Sequence, residues 1–581
     1  MHTPSVMVSL DSARSLSAGF LPHGAPLFLR VLLGPDEKRL ALSGGRTLVW
    51  RGRLDDRGAL IAGLPGSRDE LALLSDAELF AQFFDQRGIA GLADVLGSWA
   101  AVVDDSPRGQ AWLMRDPMGG RPLTYLAGKS GVYWVGHDPG ELLEAARRPV
   151  RLDPRYLSSL FACLEAEATT TPFWGVVAVP PGHAVRLHAE GTDTFEFWRP
   201  ALPLGIARRP AAELEEELRV RLREAVACRL ADGEAAGLLL SGGLDSVPIA
   251  AMARQVVGPS RPLAAFSWIF DRYPEADERS LIALATGRLA LDSQLLPGDD
   301  QLPLGPPESW PVHPGTPEQN PYRRLHERAY EAAAAKGTRV LLSGMCGDQL
   351  WSGGETWLRD ALSRRRFGAA AGELFWHLAT GRSLRPALAD ITGGRRRGPA
   401  ERFSWLTPEA LAALPDLTAQ RRRFADFPRP HQAELLLGAA NGHGFAVEAH
   451  FARRYGLELR YPLRDRRLVE LVLGLPTADI SHRGVTRALL RRALADLVPN
   501  AILARRSKAR FTGLFVDGVY GVSRHRVAAL VRKPNAAWRR FVRSEEIENA
   551  LSERDVGRGG VSLWLAASLE LWLERSGASV A

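Results

Sequence analysis

Cysteine is scarce in this sequence, long apolar runs are absent, and no lysine-bearing phosphate loop is present. Each shortage removes a class of protein. The three cysteines in 581 residues, Cys163, Cys228 and Cys346, stand far apart with no CxxC spacing. That argues against a disulfide frame or a zinc site and suits a reducing cytoplasm. No stretch offers ~20 uninterrupted apolar residues, and the start, MHTPSVMVSL, has neither a basic region nor a long apolar core. A soluble cytoplasmic protein with no membrane span is therefore expected. The formal charge of +8 raises the question of nucleic acid. The cations, nearly all arginine, are however spread along the chain. Clusters such as Arg395–Arg397 and Arg421–Arg423 are short, and no stripe of aromatics alternates with them, so nucleic acid is not an expected partner. With 46% hydrophobic and 24% charged residues, the chain has room for two or three domains with ample core.

What the sequence does contain is centred on Leu238 to Ala253, LLLSGGLDSVPIAAMA. Three leucines signal a short buried strand, Ser241-Gly242-Gly243 a turn, and Ser246 to Arg254 a helix with Pro248 in its first turn. Strand, glycine turn and helix N-terminus together form an anion site. Free N–H groups face the ligand, Gly242 and Gly243 allow close approach, and the Ser241 and Ser246 hydroxyls add donors. Asp245 would repel a phosphate unless a cation lay between them, which makes it a candidate Mg²⁺ ligand. The alternative is an ordinary strand-to-helix turn with Asp and Ser as caps. No Gly-Lys-Ser/Thr follows, so this is not a Walker loop.

The string SGGLDS resembles the pyrophosphate loop of the ATP pyrophosphatase superfamily, which cleaves ATP between its α and β phosphates to adenylate a substrate. Further along, the helix pattern Tyr322–Ala335 and the strand pattern Thr338–Leu342 lead into SGMCGDQLWSGGE, similar to the second signature of the asparagine synthetase family. That resemblance implies Asp348 as the partner of Asp245 on Mg²⁺ and Gly344 as part of the ATP-binding turn. A strand pattern at Leu263–Ile269 places Ser267 as a possible adenine contact. GLELRYPLRDRRLVELVLGLP at 456–476 also resembles the family, as does ARRSKARFTG at 504–513. The latter implies Lys508 as the cation that offsets charge during adenylation and acyl transfer. Glu448 stands roughly where β-lactam synthetases place the glutamate of a catalytic dyad, which makes it a candidate proton acceptor; a helix-surface glutamate is the alternative. Met345 falls where those enzymes carry the dyad tyrosine.

Residues 1 to about 200 read as short strands separated by turns, interrupted by one helix, Asp76–Arg87. SDAE at 75–78, GSWAAVVDD at 97–105 and RDPMGGRPLTY at 115–125 resemble the glutaminase-like domain of the same family. The family's glutaminases use a cysteine directly after the initiator methionine; here that position is His2, and an imidazole cannot replace the thiolate. WRGRLDD at 50–56 keeps only Gly52 of the family's Asn-Gly oxyanion element. Glutamine hydrolysis is therefore not expected.

The fold implied is α/β: a glutaminase-like (Ntn-type) β-rich sandwich over 1–205, then an ATP-pyrophosphatase domain with a parallel sheet and helical additions over 206–581. Family members without the cysteine include β-lactam synthetases and lasso peptide cyclases. The missing dyad tyrosine and the divergent stretch at 360–430 favour the cyclase. The expected activity is a lasso peptide macrolactam synthetase using ATP and Mg²⁺, with a leader-free core peptide as substrate and a leader peptidase and leader-binding protein as partners. An ammonia-dependent asparagine synthetase, a β-lactam synthetase and a silent ATP-binding scaffold are the alternatives.

Overall fold

The computed structural model describes residues 28–581 apart from 33–36, 129–130, 204, 232, 307–308, 364, 382, 386 and 389–398. His2 and Arg395–Arg397 lie outside the described residues.

The strand Gly97–Asp105 organises the first 200 residues because it is apolar on both faces. It sends Trp99, Ala101 and Val103 toward one hydrophobic cluster and Ala100 and Val102 toward another, as period-two alternation requires of a strand covered on both sides. The first cluster is closed by the helix Asp76–Arg87 through Leu79, Phe80, Phe83 and Phe84. A capping box starts this helix: the Glu78 N–H donates to Ser75 Oγ at 3.3 Å and the Ser75 N–H to the Glu78 carboxylate at 2.8 Å. The second cluster lies between two sheets. One is antiparallel and six-stranded, in the order Gly191–Glu196, His183–His188, Gln110–Arg115, Gly97–Asp105, Thr47–Leu54, Lys38–Ala41. The other runs Phe28–Val31, Val132–Gly136, Thr124–Ala127, Val176–Ala178. The expectation of a single helix here is corrected, since Arg57–Ala62, Arg68–Leu73, Pro139–Ala145 and Pro154–Phe161 are helical too. Two of these begin at an Asp cap followed by proline, Asp138-Pro139 and Asp153-Pro154, a local start signal that works even in short helices.

The second domain opens with the helix Ala211–Ala227, whose Leu214, Leu218, Leu222 and Val226 are buried at their four-residue spacing. It leads into a five-stranded parallel sheet in the order Asp292–Pro297, Ala264–Ile269, Ala236–Leu239, Val340–Leu342, Glu458–Arg460. Ala236–Leu239 and Val340–Leu342 are neighbours at its centre, so the SGGLDS and SGMCGD turns leave the same sheet edge side by side. In a parallel sheet of this kind the ligand site lies at the carboxyl ends of the strands. The stretch 360–430 is helical in the parts described, including Phe367–Ala379 and Leu417–Arg423.

The two domains are interlocked. The helix Arg558–Ser576 is buried almost all round, and its Trp564 and Trp572 share a cluster with Leu126, Leu142 and Phe161 of the first domain. Ser579–Val580 then pairs in parallel with Arg151–Leu152. Arg121 meets Glu458 at 2.6 Å across the joint. Among the described residues no helix is long and apolar enough to cross a membrane.

Candidate active site

The SGGLDS turn is held by its own serines. The Ser241 N–H donates to Ser246 Oγ at 3.0 Å, the two hydroxyls lie 2.9 Å apart, and the Gly243 N–H donates to Ser241 Oγ at 3.2 Å. The Gly242 N–H donates to Glu278 Oε2 at 3.0 Å, and Glu278 in turn pairs with Arg505. A carboxylate oxygen on that amide is the kind of anionic partner an N–H cradle takes. A Cβ on Gly242 would lie 2.5 Å from Leu281 Cβ, so glycine is also required by packing.

Asp245 stands at the N-cap of the helix Ser246–Val257 but caps nothing. Its carboxylate turns toward the second motif, which rules out the simple capping role. Arg487 grips it with Nε at 2.9 Å from Oδ1 and Nη2 at 2.8 Å from Oδ2, and the same Nη2 lies 3.0 Å from Asp348 Oδ1. Lys508 Nζ contacts Asp348 and stands 3.7 Å from Asp245. Asp245, Asp348 and Lys508, three residues chosen from sequence alone, therefore meet at one point, and both carboxylates converge on a shared positive charge. Two carboxylates brought onto one cation offer the hard oxygen donors that Mg²⁺ takes, with positions left for phosphate oxygens and water.

The two aspartates respond differently to the same cations. Burial raises the Asp245 pKa despite Arg487 and Lys508. At the more exposed Asp348 burial acts in the same direction, but the hydrogen bond and charge of Lys508 and then those of Arg487 outweigh it and lower the pKa. We take both as ionised, since each carboxylate is in contact with a cation.

Two glycines make this closeness possible. A Cβ on Gly344 would lie 2.9 Å from the Asp245 carbonyl carbon and the Ser246 nitrogen, and one on Gly347 would lie 2.1 Å from Asp245 Oδ1. Gly344 thus serves the site by letting the two turns touch. Gly347 was not singled out from the sequence, although it lies within the same motif. Arg487, Glu278 and Arg505 were also missed. Arg487 adopts a left-handed φ of 59° at the N-cap of the helix Ala488–Ala493, an unusual conformation for a non-glycine residue.

Ser267 and Glu448 are both buried. Ser267 is buried in the strand Ala264–Ile269, and its hydroxyl has no hydrogen-bond partner. Glu448 is no helix-surface residue. It is 5% exposed and receives Arg323 through two bonds of 2.8 Å and the Tyr330 hydroxyl at 2.7 Å. Burial opposes its ionisation, but His326 and Arg323 outweigh that and hold the pKa well below the carboxylate range. A carboxylate so stabilised is a poor proton acceptor.

Met345 and Glu448 line a cavity of about 540 Å³. Its walls are largely apolar, with Val447, Phe515, Val561 and Trp564 among them, and Glu318 and Arg323 bring charge. Trp564 is thus both core and wall, its indole N–H donating to the Gln319 carbonyl at 2.6 Å. A second, open basin of about 630 Å³ lies beside the loop that carries Arg505 and Lys508.

In the first domain Arg51 occupies the place matched to the oxyanion asparagine. Its guanidinium lies 3.3 Å from Glu37, which also meets His137 at 2.8 Å. The space beside this cluster amounts to about 10 Å³, room for one water at most. Gly52 is explained by packing, since a Cβ there would lie 2.3 Å from the Ser98 carbonyl oxygen. Elsewhere Asp55, Cys228 and Asp465 lie close enough to share a metal. Arg229, 2.9 Å from Asp465 and 3.6 Å from Asp55, together with Arg53 on Asp55 and Arg467 on Asp465, already neutralises them, making an ion-paired joint between the domains.

The asparagine synthase family model matches residues 217–574. The chain belongs to the asparagine synthase family. A glutamine amidotransferase domain model matches residues 41–198. Amidase chry2 of Gibberella zeae is 26% identical over 50% of this chain and 44% of its own length. Asparagine synthetase [glutamine-hydrolyzing] 1 of Bacillus subtilis is 24% identical over 68% and 64%. Carboxyethyl-arginine beta-lactam-synthase of Streptomyces clavuligerus is 29% identical over 44% and 42%. The chain thus spans less than half the length of the amidase and of the β-lactam synthase.

Proposed function

We propose that this member of the asparagine synthase family is an ATP-dependent, AMP-forming amide ligase, and specifically a lasso peptide macrolactam synthetase. It would adenylate an Asp or Glu side chain of a leader-free core peptide and join it to the peptide's N-terminal amine. The observation that carries this reading is an apolar cavity of about 540 Å³ that opens beside the SGMCGD turn, together with an Arg51 ion-paired to Glu37 where the family's oxyanion asparagine is matched. Where glutamine hydrolysis supplies no ammonia, an amine carried by the substrate itself completes the amide. A cavity of that volume is of the size that encloses drug-sized ligands.

Asp245 and Asp348 would hold Mg²⁺, which when bound offsets the charge of the phosphate oxygens. The Gly242 amide would exchange Glu278 for a phosphate oxygen when ATP binds, and the Gly243 amide and Ser241 hydroxyl, bonded to each other here, would turn to the pyrophosphate with it. Lys508 and Arg487, which bridge the aspartates here, turn toward phosphate oxygens once nucleotide enters, with Lys508 offsetting charge as the acyl adenylate forms and is attacked. The cavity walls fold the peptide so that its amine attacks intramolecularly, which replaces a bimolecular encounter with an oriented one. Glu448 serves this by fixing Arg323 in the cavity wall. A leader peptidase and a leader-binding protein would supply the trimmed peptide.

The test is incubation with ATP, Mg²⁺ and a leader-free core peptide whose amine and acidic side chain can meet in a ring. AMP, pyrophosphate and a product lighter by one water are expected. Formation of ADP and phosphate, or efficient turnover of free aspartate with ammonia, would overturn the cyclase assignment; no nucleotide turnover with any carboxylate would point to the scaffold.

A further inference from the structure

The cavity beside Met345 contains two carboxylates, and only one of them is neutralised. Glu448 is gripped by Arg323 and bonded to Tyr330. Glu318 has the Tyr156 hydroxyl as its side-chain partner, and its own N–H is tied to Thr316 Oγ1 at 3.2 Å. Among the described residues no Lys, Arg or His is an ion-pair partner of Glu318. The neighbouring titratable groups bring no positive charge. Tyr156 is held as the neutral phenol by burial, burial raises the Cys163 thiol pKa, and His443, whose ring meets that of Tyr156 at 5.7 Å, is lowered to about 4 by burial and then by Arg115. Glu318 nonetheless reaches the open space of the cavity. Burial raises the Glu318 pKa, and Arg323, the cation that lines the same cavity, is held by Glu448; a carboxyl group without a cation of its own in a largely apolar enclosure is a site that a cationic ligand would complete.

We infer that Glu318 anchors a cationic side chain of the substrate, a lysine-like ammonium or an arginine-like guanidinium, inside this cavity. The group it binds is not the attacking amine, because a carboxylate partner keeps an ammonium protonated and a nucleophilic amine must lose its proton. Glu318 is thus a specificity residue, and its role rests on reading the cavity as the acyl-substrate site.

The test uses the full-length protein without ATP and reads binding by ligand-observed NMR. Three probes of similar shape are n-pentylammonium, n-butylguanidinium and neutral 1-pentanol. The wild type should bind at least one cation about tenfold more tightly than the alcohol, the scale of a hydrogen bond to a charged group. The tighter cation identifies the side chain as lysine-like or arginine-like. Glu318→Gln should lose the preference while binding 1-pentanol as the wild type does, which also reports an intact cavity. No charge preference in the wild type, or a preference that survives in Glu318→Gln, would overturn the assignment. Because no turnover is read, failure of the AMP-forming assay and failure of this one are separate results.

Discussion

Lys508 stands in contact with Asp348 and 3.7 Å from Asp245, so at the residue scale it both spaces the two carboxylates and is poised to meet phosphate. Lys508→Ala should slow AMP formation by ~100-fold or more, the scale of removing a donor aimed at developing charge. Nucleotide binding should be largely retained because the cradle amides and both aspartates remain; equal losses in binding and rate would assign Lys508 to binding alone. Glu448 leads to a different expectation. It and Arg323 are both almost fully buried, and removing one charge of such a pair leaves the other uncompensated. Glu448→Gln should therefore cost about 3 kcal/mol or more in a urea titration, whereas a residue acting only as a base would leave the midpoint unmoved. Asp245, Asp348 and Lys508 were legible in the sequence because each sits in a short string whose glycines and serines mark a turn. Arg487, Arg323 and Arg505 were not, because arginine is abundant along the whole chain. Nothing local marks the one arginine that will meet Asp245 from 242 positions away.

At the scale of elements, the site depends on two turns packed backbone to backbone. Gly347 opens the short helix Gly347–Leu350 after Cys346, whose left-handed φ of 78° turns the chain. A methyl at Gly347 would strike the Asp245 carboxylate. Gly347→Ala should reduce AMP formation by about 100-fold, as expected when a ligand group is displaced by the order of 1 Å. Gly372 lies in the helix Phe367–Ala379 with nothing near its would-be Cβ. Gly372→Ala should leave activity unchanged and stabilise the fold by up to about 1 kcal/mol. Equal effects of the two variants on AMP release would mean that the contact at Gly347 is unimportant. Elements buried on at least one face were legible from their period, as with Asp76–Arg87, Ala211–Ala227 and Gly97–Asp105. The strands Lys38–Ala41 and Gly191–Glu196 were not. They form the two edges of the six-stranded sheet and are largely exposed, so no apolar alternation announces them, and their partners rather than their own residues make them strands.

For the whole molecule, the joint between the domains is lined with histidines that the fold holds neutral. His443 meets Tyr156 and feels Arg115 of the first domain. His313 and His450 stack edge to face at 4.3 Å. Burial, then neighbouring positive groups, lowers His313 well below its ordinary value; burial lowers His450 too, against a pull upward from Asp138. That the two domains would share such a joint was not legible in the sequence, because scattered histidines acquire a common environment only when the final helix closes over the first domain. The consequence for stability has a definite sign. In the unfolded chain these imidazoles take up protons as the pH falls through 6.5, whereas folded His443 resists until about 4. The unfolded state then binds more protons, so stability should fall as pH drops through that window. Glu318 and Asp116, whose pKa values burial raises, act in the opposite direction. His443→Phe isolates the imidazole contribution, since it keeps a ring against Tyr156 and removes one titrating group. Urea midpoints measured between pH 6.5 and 4 should fall less steeply in this variant, by up to about 1.4 kcal/mol per pH unit, the slope carried by one proton. Parallel curves for the two proteins would mean that His443 is protonated in the fold, and that its burial at the joint is relieved by water.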